Sequence, residues 1–378
     1  MEFRIERGAF AEAVGWAGRA LPSRTPVPVL GGLLLGAGGG RVTVSGFDFE
    51  AAARTEVAAE TVGAGEVLVP GRRLLGICRV LPEGPVSCVL EGTRFTVEAG
   101  GTRFGLSTLP REEYPALPSQ PMPYGSVDAG AFAAAVGQVA VAAGRDETLP
   151  VLTGVQLRLD GESMMLSASD RYRYAVRRLE WKPEAAGGGD GAAQTLVPAR
   201  RLLDVARSLA RSGVVRVGPA PTDGGGLVGF EGGGMRAVVR LLDGRLPKYG
   251  ALFDLAGASV AEVECGVLAE AVRRVAVVAE ASGPVRLDFS GEGSVLLRAG
   301  YGDDVAAQRV PAVLSGAEEV TVAFNPAYLL DALNSFEAPR LRIEMLGTGQ
   351  RALLSAIGAD EAVPAGHQHL LMSVKQLA

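Results

Sequence analysis

The chain has 378 residues, 48% of them hydrophobic and 21% charged, with a formal net charge of −5. That length suits two or three domains, and the composition excludes a disordered chain. The 52 glycines lack a Gly-X-Y period, which excludes collagen, and three cysteines without CxxC spacing read as reduced, structural thiols.

The first element, Met1 to Arg7, alternates apolar and charged residues as an edge strand does and lacks the apolar core of a signal peptide. No later run reaches the roughly 18 apolar residues of a membrane span. A cytoplasmic protein with no membrane partner is expected.

Apolar residues at i, i+3/i+4 and i+7 then predict an amphipathic helix of about three turns around Phe10–Val14. The pattern returns at Phe132–Val136 and Leu268–Val272. A strand is expected from Pro28, Pro150 and Pro284, followed by alternating strands from Val42, Met165 and Val295. Gly36 to Gly40 reads as a hairpin turn, and the runs Gly187–Gly191 and Gly224–Gly234 as hairpin tips.

A second helix, introduced by a β-branched run and a turn at proline, lies within Leu68–Leu81, Leu196–Leu209 and Ala323–Phe336. Aligning the paired leucines places Leu74, Leu202 and Leu329 in register, 128 and 127 residues apart. A period that long marks a duplicated domain, since solenoid units run to 20–50 residues. The proline-rich stretch Pro115–Gly125 and its counterpart Pro247–Gly257 read as linkers. The predicted fold is α+β: three similar domains at 1–120, 127–250 and 258–378, each with two helices packed on antiparallel sheet.

Charge is unevenly distributed. The six predicted helices carry ten basic and four acidic residues in a chain of net charge −5. On the second helix of the middle repeat Arg200, Asp204, Arg207 and Arg211 form one stripe, and Arg72 and Arg79 repeat it in the first. Such stripes attract phosphates without reading bases, with an affinity that falls steeply as salt rises. Six helices spaced roughly 10 Å apart would close a ring too narrow for a duplex, whereas twelve leave a bore of roughly 28 Å. Encircling DNA would therefore take two chains.

Catalytic signatures are missing: the sequence holds no HExxH, no GxSxG, no P-loop and no GxGxxG opening a helix. His367 and His369 are two residues apart without further ligands, so neither metal nor cofactor is expected. Asp48 and Asp170 sit at equivalent repeat positions, which favours a turn-capping role over a catalytic dyad.

Five motifs, in order and in register, carry a resemblance over essentially the whole chain. They are Pro26–Leu30, Leu106–Pro110, Ser169–Arg173, Leu242–Pro247 and Phe324–Leu333. The chain resembles the bacterial sliding clamp, the β subunit of DNA polymerase III. The resemblance implies a DNA clamp fold forming half of a ring, no enzymatic activity, and a head-to-tail homodimer around double-stranded DNA. It also implies as partners the polymerase III catalytic subunit, the clamp loader and other clamp-motif proteins.

On that pattern Arg24, Arg72, Arg73, Arg79, Arg200, Arg201, Arg207 and Arg211 face DNA. The subunit seam takes Arg103, Phe104 and Leu106 on one side, with Val277, Val278, Asp303 and Asp304 opposite. A peptide pocket comprises Leu152, Ser169, Arg171, Tyr172, Arg173, Tyr174, Pro247, Leu252, Tyr328, Leu370, Met372, Ser373 and Val374. Two of these depart from the family pattern: glycine is usual at Arg171 and proline at Ser373. A divergent or second clamp with altered pocket selectivity or inhibitor tolerance follows as an expectation. The alternative is a non-catalytic three-domain scaffold that binds peptides without embracing DNA.

Overall fold

Among the described residues, three repeats of nine strands and two helices follow one another. A computed structural model describes residues 1–24, 27–184, 193–222, 225–248, 250–279, 283–357 and 366–375. The first repeat is β1 (Glu2–Glu6), α1 (Arg7–Ala17), β2 (Gly32–Gly38), β3 (Arg41–Phe47), β4 (Ala51–Ala58), β5 (Glu60–Gly63), β6 (Gly65–Pro70), α2 (Gly71–Val80), β7 (Pro85–Glu91), β8 (Arg94–Ala99) and β9 (Thr102–Ser107). The second is β10 (Gly125–Asp128), α3 (Ala129–Ala140), β11 (Gly154–Asp160), β12 (Ser163–Ser169), β13 (Arg173–Glu180), β14 (Lys182–Pro183), β15 (Ala193–Pro198), α4 (Ala199–Leu209), β16 (Val214–Thr222), β17 (Gly225–Gly232) and β18 (Met235–Arg240). The third is β19 (Ser259–Glu264), α5 (Cys265–Val275), β20 (Val285–Ser290), β21 (Ser294–Tyr301), β22 (Asp304–Pro311), β23 (Val313–Ser315), β24 (Glu319–Phe324), α6 (Pro326–Asn334), β25 (Arg340–Met345), β26 (Arg351–Ala356) and β27 (His367–Met372).

Two of the helices, α6 and α3, start at a side-chain cap. Asn325 caps α6 by accepting from the amides of Ala327 and Tyr328, with Pro326 at its first position, where no donor is lost. Asp128 accepts from the amide of Ala131 at the start of α3. Apolar helix faces are buried: Phe10, Val14 and Trp16 on α1, Leu74, Ile77 and Cys78 on α2, and Leu268, Val272 and Val275 on α5.

By its contacts the chain divides into two compact units. One holds residues 1–133, 182–191 and 201–241, the other 134–181, 192–200 and 242–378. In the first unit a five-stranded sheet runs β5-β1-β7-β8-β9, and a nine-stranded sheet runs β14-β10-β16-β17-β18-β4-β3-β2-β6. The second unit has a nine-stranded sheet, β15-β11-β12-β13-β27-β26-β25-β19-β23, and a four-stranded sheet, β22-β21-β20-β24.

Every repeat therefore contributes one five-stranded and one four-stranded half, and the nine-stranded sheets are fusions of halves from neighbouring repeats. The seam of the first unit is antiparallel β18·β4, with Met235 opposite Thr55; that of the second is β13·β27, with Arg177 opposite His367. In the first unit Phe3, Phe10 and Phe95 centre one core and Val29, Phe47, Leu68, Tyr114 and Val238 a second. The second unit has a core around Leu268, Phe289 and Phe324, and another around Tyr174, Leu196, Leu246 and Leu370.

Some local expectations are corrected. The residues following Pro28 and Pro150 form a turn of 3₁₀ helix, and the strands begin at Gly32 and Gly154, because proline fixes φ near the helical value. Strand β1 is not an edge, since β5 and β7 flank it. Gly225–Gly232 is strand β17 and only Gly233–Gly234 turn; Gly224 and Gly187–Gly191 lie outside the described residues. Arg211 stands in the turn after α4.

Candidate functional site

A cleft of about 480 Å³ opens in the second unit among the segment after α3, the β12–β13 turn and the first turns of α6. Its floor is organised by Arg173, whose side chain is only 5% exposed. The Arg173 Nε donates to Asp170 at 2.9 Å and an Nη to Asp331 on α6 at 2.7 Å. The guanidinium lies 4.3 Å over the Tyr328 ring, a cation–π contact, and Tyr328 stacks on the exposed ring of Tyr172. The planar fork of arginine serves both carboxylates and the ring face at once, which a lysine could not do.

The turn carrying these residues is closed by Asp170. Its Oδ1 accepts from the amides of Tyr172 and Arg173, each at 3.1 Å, and its own amide donates to the Arg173 carbonyl. Arg171 at its tip has φ of +82°, a left-handed conformation that favours glycine. Asp48 builds the same turn 122 residues earlier, accepting from the amides of Glu50 and Ala51, with Phe49 at φ +70°. Both aspartates cap turns.

Residues assigned to one pocket in the sequence are distributed over two neighbouring places. The open cleft takes Leu152, Arg171, Tyr172, Arg173 and Tyr328. Tyr174, Leu252 and Leu370 belong to the apolar cluster that Leu152 also touches, and the Tyr174 hydroxyl donates to the Pro247 carbonyl. Met372 is tied to the turn by its amide, which donates to the Tyr172 carbonyl, and Ser169 by its hydroxyl, which donates to the Arg173 carbonyl. The amide of Val374 donates to the Ala323 carbonyl.

Ser373 adds no polar group to the cleft. Its amide donates to the Gln350 carbonyl, and its hydroxyl donates to the Gly347 carbonyl and accepts from the Gln350 amide. The cleft also holds Arg145, Asp146 and Asp331, which the sequence reading did not include. Asp331 had a signal, since it repeats Asp204 on the equivalent helix 127 residues earlier.

In the first unit the corresponding place is far smaller. A cavity of about 20 Å³ remains among Trp16, Ala51–Ala53, Arg201 and Asp204. Arg201, at the repeat position of Tyr328, pairs with Asp48 and reaches the Arg19 carbonyl.

Arg24, Arg72, Arg73, Arg79, Arg200, Arg207 and Arg211 are exposed, while Arg201 is half-buried. Arg72 donates to the carbonyls of Pro22 and Ser23, bracing the loop that carries Arg24. Strand β9, with Arg103, Phe104 and Leu106, and strand β22, which begins at Asp304, are unpaired sheet edges. Leu106 is buried and Phe104 partly so, whereas Val277 is 81% and Tyr301 88% exposed. Val278 packs against the core of the third repeat, and Asp303 and Asp304 are exposed.

His367 and His369 are buried on β27. The His367 Nδ1 donates to the Val176 carbonyl and its Nε2 faces the Ser335 hydroxyl; burial lowers its pKa to about 4. Neither ring nitrogen of His369 has a hydrogen-bond partner among the described residues, and burial holds its pKa well below the usual value. No cluster of three or more metal-ligating side chains occurs among the described residues. There, too, no helix is long and apolar enough to cross a membrane.

Sequence models of the N-terminal, central and C-terminal domains of the DNA polymerase III β subunit match residues 1–118, 126–248 and 253–368. The chain belongs to the sliding-clamp family. It is 47% identical over 378 residues to the β sliding clamp of Streptomyces coelicolor, covering 99% of both chains. It is 41% identical over 376 residues to the β sliding clamp homolog GriR of Streptomyces muensis, again covering 99% of each. A crystal structure of the Pseudomonas aeruginosa clamp bound to griselimycin superposes with a TM-score of 0.89 over all of both chains, at 24% identity. The three-domain clamp fold, mixed in helix and antiparallel sheet, is thereby shared.

Proposed function

We propose that two copies of this chain close head to tail around duplex DNA and hold polymerases on it without performing chemistry. The observation that carries this reading is the pair of unpaired edges. Strand β9 occupies in its sheet the place that β18 and β27 occupy in theirs, and β22 the place of β4 and β13. Those four strands are sealed in seams, whereas β9 and β22 expose most of their residues. A β22·β9 seam made in trans repeats the antiparallel joint already made twice within the chain and covers both of these edges.

The exposed arginines suit a sequence-independent grip on phosphates, and an inner face bearing Arg24, Arg73, Arg79, Arg200 and Arg207 lets the ring slide. The cleft of the second unit is the docking place for extended peptide segments of the polymerase III catalytic subunit, the clamp loader and other motif-bearing proteins. Domain limits of 1–120, 127–250 and 258–378 fit this scheme, as does work in the cytoplasm. With a relative named GriR and another clamp crystallised with griselimycin, the cleft is also where tolerance of an inhibitor would be set.

Two measurements test the reading. In solution the particle should have twice the mass of one chain, and loaded on a nicked plasmid it should stay bound until the DNA is linearised. A monomer retained equally on linear and circular DNA would sink it.

A further inference from the structure

Where the linker of the second unit passes over its sheet, an arginine holds it by the backbone. Arg351 on β26 donates from one Nη to the carbonyls of Ala251 and Leu252, each at 2.9 Å. Both residues belong to a turn of 3₁₀ helix, Gly250–Leu252, which the Phe253 amide closes by donating to the Gly250 carbonyl. The turn presents Leu252 and Phe253, both half-buried, to the apolar cluster that holds Tyr174, Leu353 and Leu370. The Phe253 ring meets Tyr174 edge-on, 5.9 Å between centroids.

The first unit secures its linker another way. Arg351 lies opposite Met372 on β27, and the matching strand pair of the first unit places Leu227 opposite Arg240. Leu227 packs against the apolar cluster that also takes in Tyr114 and Leu117 of the first linker. A leucine secures a linker by filling the space beneath it. An arginine that reaches the carbonyls through charge-assisted hydrogen bonds fixes the height of the turn and leaves that space to other side chains. The cleft of about 480 Å³ opens beside this cluster, with Leu152 common to both.

We infer that Arg351 is a positioning residue for docking. Without touching the peptide, it sets the Gly250–Leu252 turn so that Leu252 and Phe253 form a wall for an apolar side chain of the ligand. The inference rests on the cleft, with the apolar cluster beside it, being the docking place. A lysine replaces Arg351 only in part, because an ammonium on a flexible stem lacks the planar fork that aims the donor at both carbonyls.

The test uses an end-blocked synthetic hexapeptide with two leucines and a phenylalanine, and a twin with both leucines replaced by alanine. Affinities are measured by fluorescence polarisation on the full-length protein. Arg351→Ala should weaken the leucine peptide about tenfold and leave the weaker twin nearly unchanged, and Arg351→Lys should recover part of the loss. Arg351→Leu separates positioning from stability. It should hold the linker as Leu227 does and melt like wild type, yet bind the leucine peptide as poorly as Arg351→Ala because its side chain fills the space. Hydrogen exchange at residues 250–255 should quicken in Arg351→Ala and not in Arg351→Leu.

Undiminished affinity of Arg351→Ala for the leucine peptide, an equal loss for both peptides, or wild-type affinity in Arg351→Leu overturns the inference while leaving the docking place intact. Failure of the leucine peptide to bind the wild type removes the docking place, and the inference with it.

Discussion

The two seams of this molecule share a plan and differ in what lies beside them. Each joins a four-stranded half to a five-stranded half, and each has beside it a turn capped by aspartate, Asp48 in one unit and Asp170 in the other. In the first unit the arginine comes from the helix: Arg201 reaches Asp48, and Ala51 stands where the second unit has Arg173. In the second unit the arginine comes from the strand, and Tyr328 stands where the first has Arg201. Moving one cation from helix to strand accompanies the change from a cavity of about 20 Å³ to a cleft of about 480 Å³. The same scaffold thus encloses a cleft of this size beside one described seam and not beside the other.

The largest expected effect comes from removing those arginines. Arg173→Ala strands two carboxylates, one of them 11% exposed, and should cost roughly 3 kcal/mol, the low end for a buried pair because Asp331 is 40% exposed. Arg201→Ala should cost less, about 1–2 kcal/mol, because Arg201 is 28% exposed and the turn amides still hold Asp48. Urea unfolding of both variants checks the order; a costlier Arg201→Ala would reverse the contrast between the seams.

Acid should separate the seams next. His367 and His369 on β27 occupy positions that the first unit fills with Met235 and Ala237 on β18. The folded state holds His367 neutral with a pKa of about 4, against 6.5 for the ordinary group. The unfolded chain therefore binds the proton first, and stability is full above pH 6.5 and lost as pH falls toward 4. At pH 5 the loss from His367 is about 2 kcal/mol. Hydrogen exchange should show β13 and β27 losing protection between pH 7 and 5 while β4 and β18 keep theirs. Equal loss in both seams would assign the acid sensitivity elsewhere.

Ser373→Pro should cost about 2 kcal/mol. It removes the Ser373 amide, which donates to the Gln350 carbonyl, together with a hydroxyl serving two backbone groups. In the first unit the amide of Leu241 makes the matching bond to the Gly226 carbonyl. Thermal melting checks this; a proline variant as stable as wild type would show that the 347–350 turn adapts without those bonds. Phe49→Gly should have the smallest effect, within about 1 kcal/mol of wild type, as relief of the left-handed strain opposes the lost ring contact.

Much of this arrangement could be read before the coordinates. The register of Leu74, Leu202 and Leu329, the prolines at the helix starts and the equivalence of Asp48 and Asp170 are matters of spacing along the chain, and helices and turns obey short-range rules. Exposure of Arg72, Arg79, Arg200 and Arg207 followed from the same periodicity, since a buried stripe on one side of a helix leaves its opposite side to solvent. The cleft was less accessible to that reasoning. Arg145 and Asp146 lie in a segment without periodicity, and nothing in the spacing of Ser373 tells that its hydroxyl turns toward Gly347.

The sequence alone dictated three copies of one strand-and-helix order, because periodicity, proline and capping act over a few residues. Tertiary structure decided that halves of neighbouring copies fuse into nine-stranded sheets, and that Arg173 joins Asp170 to an aspartate 158 residues away. Those outcomes depend on which edges and charges meet in space, and a strand edge carries no mark in sequence of the partner that will cover it.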